Sequence, residues 1–273
     1  MKEFELNNGI KIPSVGLGVF RIEEGDTTYE TVKLALSLGY RHIDTARIYG
    51  NEAAVGKAVI DSGIPREEIF ITTKLWNDDQ RTGRVIEALD ESLKRLNLDY
   101  IDLYLVHWPV KETYIEVWKK MEEIYASGKA KAIGVSNYQV HHLENLLNEA
   151  TVVPAVNQIE CYPYLAQKEL VDYCRLQGIR AEAWGPLGAG KSDVLSNIII
   201  TGIAKKHDKT PAQIVLRWNV QRGVIVIPKS VHENRLVENL NITGFNLTTD
   251  EMNQINGLDK NLRLGANPDN FDF

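Results

Sequence analysis

Arg41-His42-Ile43-Asp44-Thr45-Ala46-Arg47-Ile48-Tyr49-Gly50-Asn51-Glu52 is the stretch on which the reading of this chain turns. It opens as a short β-branched run, expected to be a buried strand, and it carries a carboxylate, Asp44, where strand gives way to loop. Tyr49 follows five residues on. The same event recurs downstream: IFITTK ends on Lys74, LYLVH on His107, and AIGVSN on Ser136 and Asn137. Successive separations of 30, 33 and 30 residues match the length of a strand-helix-strand crossover. Parallel strands would present all of these groups at one face.

Working outward, helical periodicity is expected over Thr28 to Leu38, Ala53 to Ser62, Thr82 to Leu96, Tyr114 to Ser127, His141 to Glu149, Gln167 to Gln177, Asn197 to His207 and Pro211 to Gln221. Strands alternate with these helices: Ile69 to Lys74, the run ending at His107, Ala132 to Val135, Ala155 to Ile159, Arg180 to Trp184 and Val224 to Ile227. Counted from Gly16-Leu17-Gly18 there are eight strands, and strict alternation selects a closed parallel (β/α)8 TIM barrel. Ahead of it, Asn7-Asn8-Gly9 between two short alternating runs predicts a β-hairpin that plugs the barrel's bottom. The gap from Trp184 to Pro228 holds two helical stretches, so one extra helix is expected before the last unit, a place compatible with a phosphate site. No linker divides residues 1–273, which are expected to form a single domain.

Hydrophobic residues make up 44% and charged residues 25%, enough apolar material for a large core. A net charge of -6 without a basic tract argues against nucleic acid or an anionic membrane as partner. The amino-terminal residues lack a signal-peptide core and no apolar run spans a bilayer, so a cytoplasmic, monomeric protein is expected. Cys161 and Cys174 read as reduced, buried thiols. His42 reads as a hydrogen-bonded core residue, and adjacent His141 and His142 are expected to diverge, so no metal site is expected.

The chemistry follows from the strand ends. An unperturbed tyrosine titrates near ~10, too high for efficient proton donation at neutral pH. A neighbouring ammonium lowers that value, and Lys74 is the candidate, with Asp44 holding it charged and in place. A neutral His107 would donate a hydrogen bond to a carbonyl oxygen. Gly185-Pro186-Leu187-Gly188-Ala189-Gly190-Lys191-Ser192 satisfies the GxxxxGK[ST] phosphate-loop pattern. A nucleotide triphosphatase is nevertheless disfavoured, because the only later strand ends in Pro-Lys-Ser instead of a magnesium-binding aspartate.

With Asp44, Tyr49, Lys74 and His107 set within HIDTARIYGNE, TTKLW and LYLVHWP, the chain resembles the aldo-keto reductases, and in particular their bacterial diketogluconate and methylglyoxal reductase-like branch. The likeness runs from Gly16 to Ser230 and implies an NADPH-dependent reductase with those four residues as its catalytic tetrad. It implies that Ser136, Asn137 and Gln158 bind the nicotinamide carboxamide and that Trp184 stacks on the ring. Gly185, Leu187 and Gly188 would fold over the pyrophosphate; Lys229, Ser230 and Arg235, with Val231 and Glu238 beside them, would take the adenosine 2′-phosphate, and Asn239 the adenine. Two cations at that end favour NADPH over NADH. Trp76 and Trp108, at loop starts beside Lys74 and His107, are expected to line the pocket of a small carbonyl substrate with Phe20, Phe271 and Phe273. The short segment from Pro109 to Thr113 and the short tail imply an open pocket. Two rivals are a nicotinamide-binding sensor without useful turnover and a barrel isomerase or aldolase acting on phosphorylated sugars.

Overall fold

Eight parallel strands follow one another around a curled sheet in chain order: β3 (Leu17–Gly18), β4 (His42–Asp44), β5 (Phe70–Leu75), β6 (Ile101–Val106), β7 (Ala130–Ser136), β8 (Val156–Glu160), β9 (Arg180–Trp184) and β10 (Ile225–Val226). The computed structural model describes residues 2–271 and residue 273. The sheet's two edges meet, because Gly16 N donates to Val226 O at 2.8 Å and Val226 N donates to Ser14 O at 3.0 Å, in a parallel bridge between Val15 and Val226. The result is a TIM-barrel-like α/β fold. Gly18 has no side chain at the seam, where a Cβ would stand 2.8 Å from the Ile227 carbonyl oxygen.

Residues alternate between the sheet's two faces. On the outer face Ile43, Ile71, Val106, Val135, Ala181 and Ala183 join Leu36, Val55, Leu89, Trp118 and Leu143 of the surrounding helices in the main core. These helices are α1 (Asp26–Ser37), α2 (Glu52–Asp61), α4 (Val85–Leu96), α5 (Tyr114–Ser127) and α6 (Val140–Leu147), with α3 (Asn77–Arg81) and α7 (Lys168–Leu176) completing the set before β9. On the inner face a smaller apolar cluster joins Phe70, Leu103, Leu105, Ala132, Val156 and Ile225 to Leu6 and Ile12. Ile12 comes from the hairpin of β1 (Glu3–Glu5) and β2 (Lys11–Pro13), whose turn closes through Gly9 N to Leu6 O and Leu6 N to Ile10 O. The hairpin therefore fills the sheet's amino-terminal end, leaving the polar strand ends at the opposite one.

Between β9 and β10 lie α8 (Ile198–His207) and α9 (Pro211–Gln221); after β10 come α10 (Glu233–Leu240) and α11 (Thr249–Asn256). Asn197 caps α8, and Thr210 with Gln213 forms a capping box ahead of Pro211, which explains the sharp start of α9. The helix expected from Thr82 to Leu96 is present as α4 but starts later, at Val85, and the short α3 ahead of it was not expected. Gly83 adopts φ 71°, so α3 stops at Arg81 and α4 starts at Val85. The capped α11 lay outside the sequence reading.

Gly56 of α2 sits against the carboxyl end of α4, and a Cβ there would overlap the Leu96 carbonyl oxygen. Helix propensity alone would make Gly56→Ala stabilising by roughly 1 kcal/mol. The backbone contact reverses the sign, and the substitution is expected to cost about 1–3 kcal/mol as overpacking. Urea denaturation measures it; a raised midpoint would show that α2 is not seated on α4.

Candidate active site

Inward-facing positions at the carboxyl ends of the strands carry the polar groups. Asp44 pairs in register with Thr72, and Lys74, two residues on, points to the same side. The Lys74 ammonium donates to Asp44 Oδ1 at 2.7 Å, to the Thr45 carbonyl oxygen at 2.8 Å and to the Tyr49 hydroxyl at 3.3 Å. Lys74 is wholly buried and Asp44 nearly so. Tyr49 ends a short 3-10 turn, Arg47–Tyr49, which Gly50 closes with φ 69°. That turn is held on both sides. The Asn51 amide donates to the carbonyls of Val19 and Ile22 and its oxygen accepts from Thr45, while the Glu52 carboxylate accepts from Thr73 and Arg95. His107 lies with its ring edge-on to Tyr49 and to Trp76, at centroid distances of 5.9 and 5.1 Å.

Burial disfavours charge on Asp44, whose carboxyl is pushed above its usual range against the pull of Lys74. Burial also works against the Lys74 ammonium, but Asp44 and Tyr49 together raise its pKa, so it stays charged. Burial, and then Lys74, drive His107 well below the ordinary histidine value, and its ring is neutral at pH 7 as expected. For Tyr49 the expectation is corrected. Its pKa is raised, because loss of solvent outweighs the lowering by Lys74. The phenol is therefore a firmly protonated donor, and the ammonium beside it is placed to stabilise the phenolate left behind.

The aromatic residues at the strand ends lie against one another. Phe20 packs on Tyr49 at 4.9 Å, Trp76 stacks on Phe273 at 6.0 Å, and Trp108 contacts Phe271 and Phe273 at 5.1 and 5.3 Å. The tail is also tied down, since Asn77 and Arg81 each donate to the Phe273 carbonyl oxygen at 2.9 Å. Further back, Glu160 accepts from Leu264 N and Gly265 N at 2.8 and 3.0 Å.

Four of the residues expected at the cofactor are bonded into the same cluster. Gln158 donates to Asp44 Oδ2 at 2.8 Å, Ser136 donates to the Gln158 carbonyl at 2.9 Å, and Asn137 donates to the His107 carbonyl at 3.0 Å. Trp184 Nε1 donates to Asn137 Oδ1 at 2.8 Å, a bond that a tyrosine there has no N–H to make. Gly185 and Gly188 take φ values of 58° and 77° in the loop after β9, and Leu187 beside them packs into the core. Lys191 and Ser192 precede the next α-helix by several residues, whereas a phosphate loop opens directly into one, so the triphosphatase pattern stands without its context. After β10, Lys229, Val231 and Arg235 are exposed, Ser230 and Asn239 are buried, and the Glu238 carboxylate accepts from Thr210.

His141 and His142 do not diverge. Their rings stand 4.0 Å apart and both Nε2 atoms face Asp269, at 3.2 and 3.8 Å. The three have the proximity a metal site needs. His142 Nδ1, however, accepts from Gln139 N, which puts the proton of the neutral ring on Nε2. That nitrogen carries a hydrogen and faces the carboxylate from 3.8 Å, so it has no lone pair to offer a metal in this tautomer.

Glu182 of β9 escaped the sequence reading. It points inward with no exposure, below Gln158 and 4.0 Å from His42 Nε2, and burial followed by the Asp44 charge pushes its carboxyl up to about 8. An acidic residue between two alanines in a buried strand was the available signal. Folded Glu182 keeps its proton up to about 8 and the unfolded carboxyl only up to the ordinary 4.5, so stability falls as pH rises through that window. Glu182→Gln removes the slope. The variant is expected to gain on wild type by on the order of 1 kcal/mol per pH unit there, read from urea melts at several pH values; parallel curves would mean that Glu182 is ionised throughout.

Among known proteins, the pattern of the "Aldo/keto reductase family" matches residues 14–260. The chain is 51% identical to "Glyoxal reductase" of Bacillus subtilis (strain 168) over 98% of its own length and 97% of the relative's. It is 46% identical to "Methylglyoxal reductase DkgA" of Escherichia coli (strain K12), covering 98% and 97% of the two chains. The crystal structure of MGS-M4, an aldo-keto reductase enzyme from a Medee basin deep-sea metagenome library, superposes with a TM-score of 0.96 at 47% identity over 99% of this chain and 100% of that one. With its fold, its strand-end cluster and its relatives in agreement, this chain belongs to the aldo/keto reductase family of oxidoreductases.

Proposed function

We propose that residues 1–273 form one monomeric, cytoplasmic (β/α)8 domain that uses NADPH to reduce small aldehydes, dicarbonyls such as methylglyoxal, or keto-sugars to alcohols. The observation that carries the reading is the single ammonium of Lys74, hydrogen-bonded at once to Asp44 and to the Tyr49 hydroxyl beneath an aromatic wall. Substrate preference rests on the named activities of the glyoxal and methylglyoxal reductases and on the fit of a small carbonyl to that wall.

In this mechanism Tyr49 delivers its hydroxyl proton to the carbonyl oxygen, and Lys74 stabilises the phenolate as it forms. Asp44 holds Lys74 in place, and neutral His107 donates a hydrogen bond to the same oxygen. NADPH supplies the hydride when bound. Ser136, Asn137, Gln158 and Trp184 would hold its nicotinamide, Gly185, Leu187 and Gly188 its pyrophosphate, and Lys229, Ser230, Val231, Arg235, Glu238 and Asn239 its adenosine end. The fit of that last group rests on charge: Lys229 and Arg235 make no ion pair among the described residues and flank the start of α10, so their cations are available to a phosphate. Phe20, Trp76, Trp108, Phe271 and Phe273 would enclose the substrate. Between β9 and β10, α8 would be the helix added to the barrel's repeat.

Consumption of NADPH followed by absorbance, with glyoxal, methylglyoxal, simple aldehydes and keto-sugars, tests the reaction. Tyr49→Phe is expected to lower turnover by roughly 10²–10⁴-fold while NADPH still quenches tryptophan fluorescence. Full residual activity would sink the proton-donor role, and quenching by a wild type that turns nothing over would favour a sensor. Arg235→Ala is expected to weaken NADPH by about 10–100-fold, the loss of a charged hydrogen bond worth roughly 1.5–3 kcal/mol, and to leave NADH nearly unchanged. Equal losses in titrations with the two cofactors would place the 2′-phosphate elsewhere.

A further inference from the structure

The barrel-like interior holds a polar layer that the mechanism above does not use. His42, Thr72 and Glu182, all buried, lie one inward position below Asp44, Lys74 and Trp184 on their respective strands. Gly16 makes the space, since a Cβ on it would run into the His42 ring. His42 Nε2 meets Thr72 Oγ1 at 3.2 Å, and Glu182 Oε1 accepts from Gln158 Nε2 at 3.3 Å.

Gln158 is where this layer meets the candidate active site. Its amide nitrogen has two protons; one goes to Asp44 Oδ2 at 2.8 Å and the other to Glu182 Oε1. Both partners are carboxyl oxygens, so the amide has only one sensible orientation. Turned over, its carbonyl oxygen would face Asp44, which is paired with Lys74 and offers only lone pairs. The backbone is fixed as well, by Ser136 on the Gln158 carbonyl and by the pairing of Gln158 with Glu182 across β8 and β9. Gln158 Oε1 accepts no hydrogen bond among the described residues. It is left as an acceptor and nothing else.

We propose that Glu182 is a positioning residue for the reduction: by taking the second amide proton of Gln158, it fixes Oε1 as the acceptor for the amino group of the nicotinamide carboxamide. The proposal rests on the cofactor reading above. Without Glu182, Asp44 alone would hold Gln158, and the side chain would be free to swing about that one bond. Glu182 fills the role without adding a second negative charge under Lys74, because it is protonated at neutral pH and accepts through its carbonyl oxygen.

An acetylpyridine analogue of NADPH tests the idea, because its acetyl group replaces the carboxamide and has no N–H to give. Dissociation constants come from quenching of tryptophan fluorescence, with KM and kcat measured alongside. Wild type is expected to bind the analogue about 10-fold more weakly than NADPH, the worth of one hydrogen bond. Glu182→Leu should weaken NADPH by about 10-fold, mostly in KM, leave the analogue unchanged and so abolish the discrimination. Glu182→Gln, whose carbonyl still accepts, should restore it. Should Glu182→Leu fail to fold, Glu182→Thr is read in the same way. Equal losses for both cofactors, or discrimination that survives in the leucine or threonine variant, would overturn the positioning role and leave a structural one. If wild type binds NADPH but does not discriminate, the proposal falls while the reductase reading stands; if wild type does not bind NADPH, both fall.

Discussion

Everything at the carboxyl end of the sheet depends on keeping one ammonium charged without water. Lys74 has no exposed surface, and moving such a group out of solvent costs several kcal/mol unless its protons and charge are matched. It has three protons, and three acceptors meet them: Asp44 Oδ1, the Thr45 carbonyl and the Tyr49 hydroxyl. The counter-charge needs support in turn, and Gln158 supplies it at Asp44 Oδ2. Tyr49 is thus the third ligand of a buried cation before it is anything else. The same bond that satisfies the lysine brings the phenol under its influence, so structure and proposed chemistry share one contact.

That cluster stands on a graded interior. The hairpin closes the amino-terminal end with Leu6 and Ile12 against Phe70, Leu103 and Val156. Above this apolar plug come His42, Thr72 and Glu182, then Asp44, Lys74 and Gln158, then the aromatic wall. The middle layer carries its own cost, since His42 Nδ1 and Glu182 Oε2 have no hydrogen-bond partner among the described residues. A purely apolar middle would be cheaper. A layer that spends stability on unpartnered polar atoms directly below Gln158 is what a positioning role for Glu182 accounts for.

Legibility in the sequence followed the kind of physics involved. Asp44, Lys74, His107 and Asn137 were found because each ends an apolar run, and their spacing carried the parallel order of β4 to β7 with it. The hairpin followed from Asn8-Gly9, and α9 was read with the bounds it has, Pro211 to Gln221. Effects that depend on packing were not legible. Gly83 held back the start of α4 to Val85, and the rings of His141 and His142, neighbours in sequence, turned to the same carboxylate. Glu182 was hidden because only the register of β8 with β9 places it under Gln158. The direction of the Tyr49 shift was missed for a related reason: sequence reveals the cation nearby but not how much solvent has been removed.

That last correction ties the site together. Trp76 and Tyr49 press against His107, Phe20 covers Tyr49, and Phe273, held by Asn77 and Arg81, lies over Trp76. Removing water this way acts on both groups that would touch the carbonyl oxygen. It strips charge from His107 and keeps the proton on Tyr49, so each is left neutral with a proton to offer. Lys74 adds to the first effect and opposes the second, because a cation disfavours the imidazolium and favours the phenolate. The aromatic wall sets the resting state, with two donors in place. The ammonium then lowers the cost of the one event that wall resists, departure of the tyrosine proton, at the moment negative charge appears on the phenol.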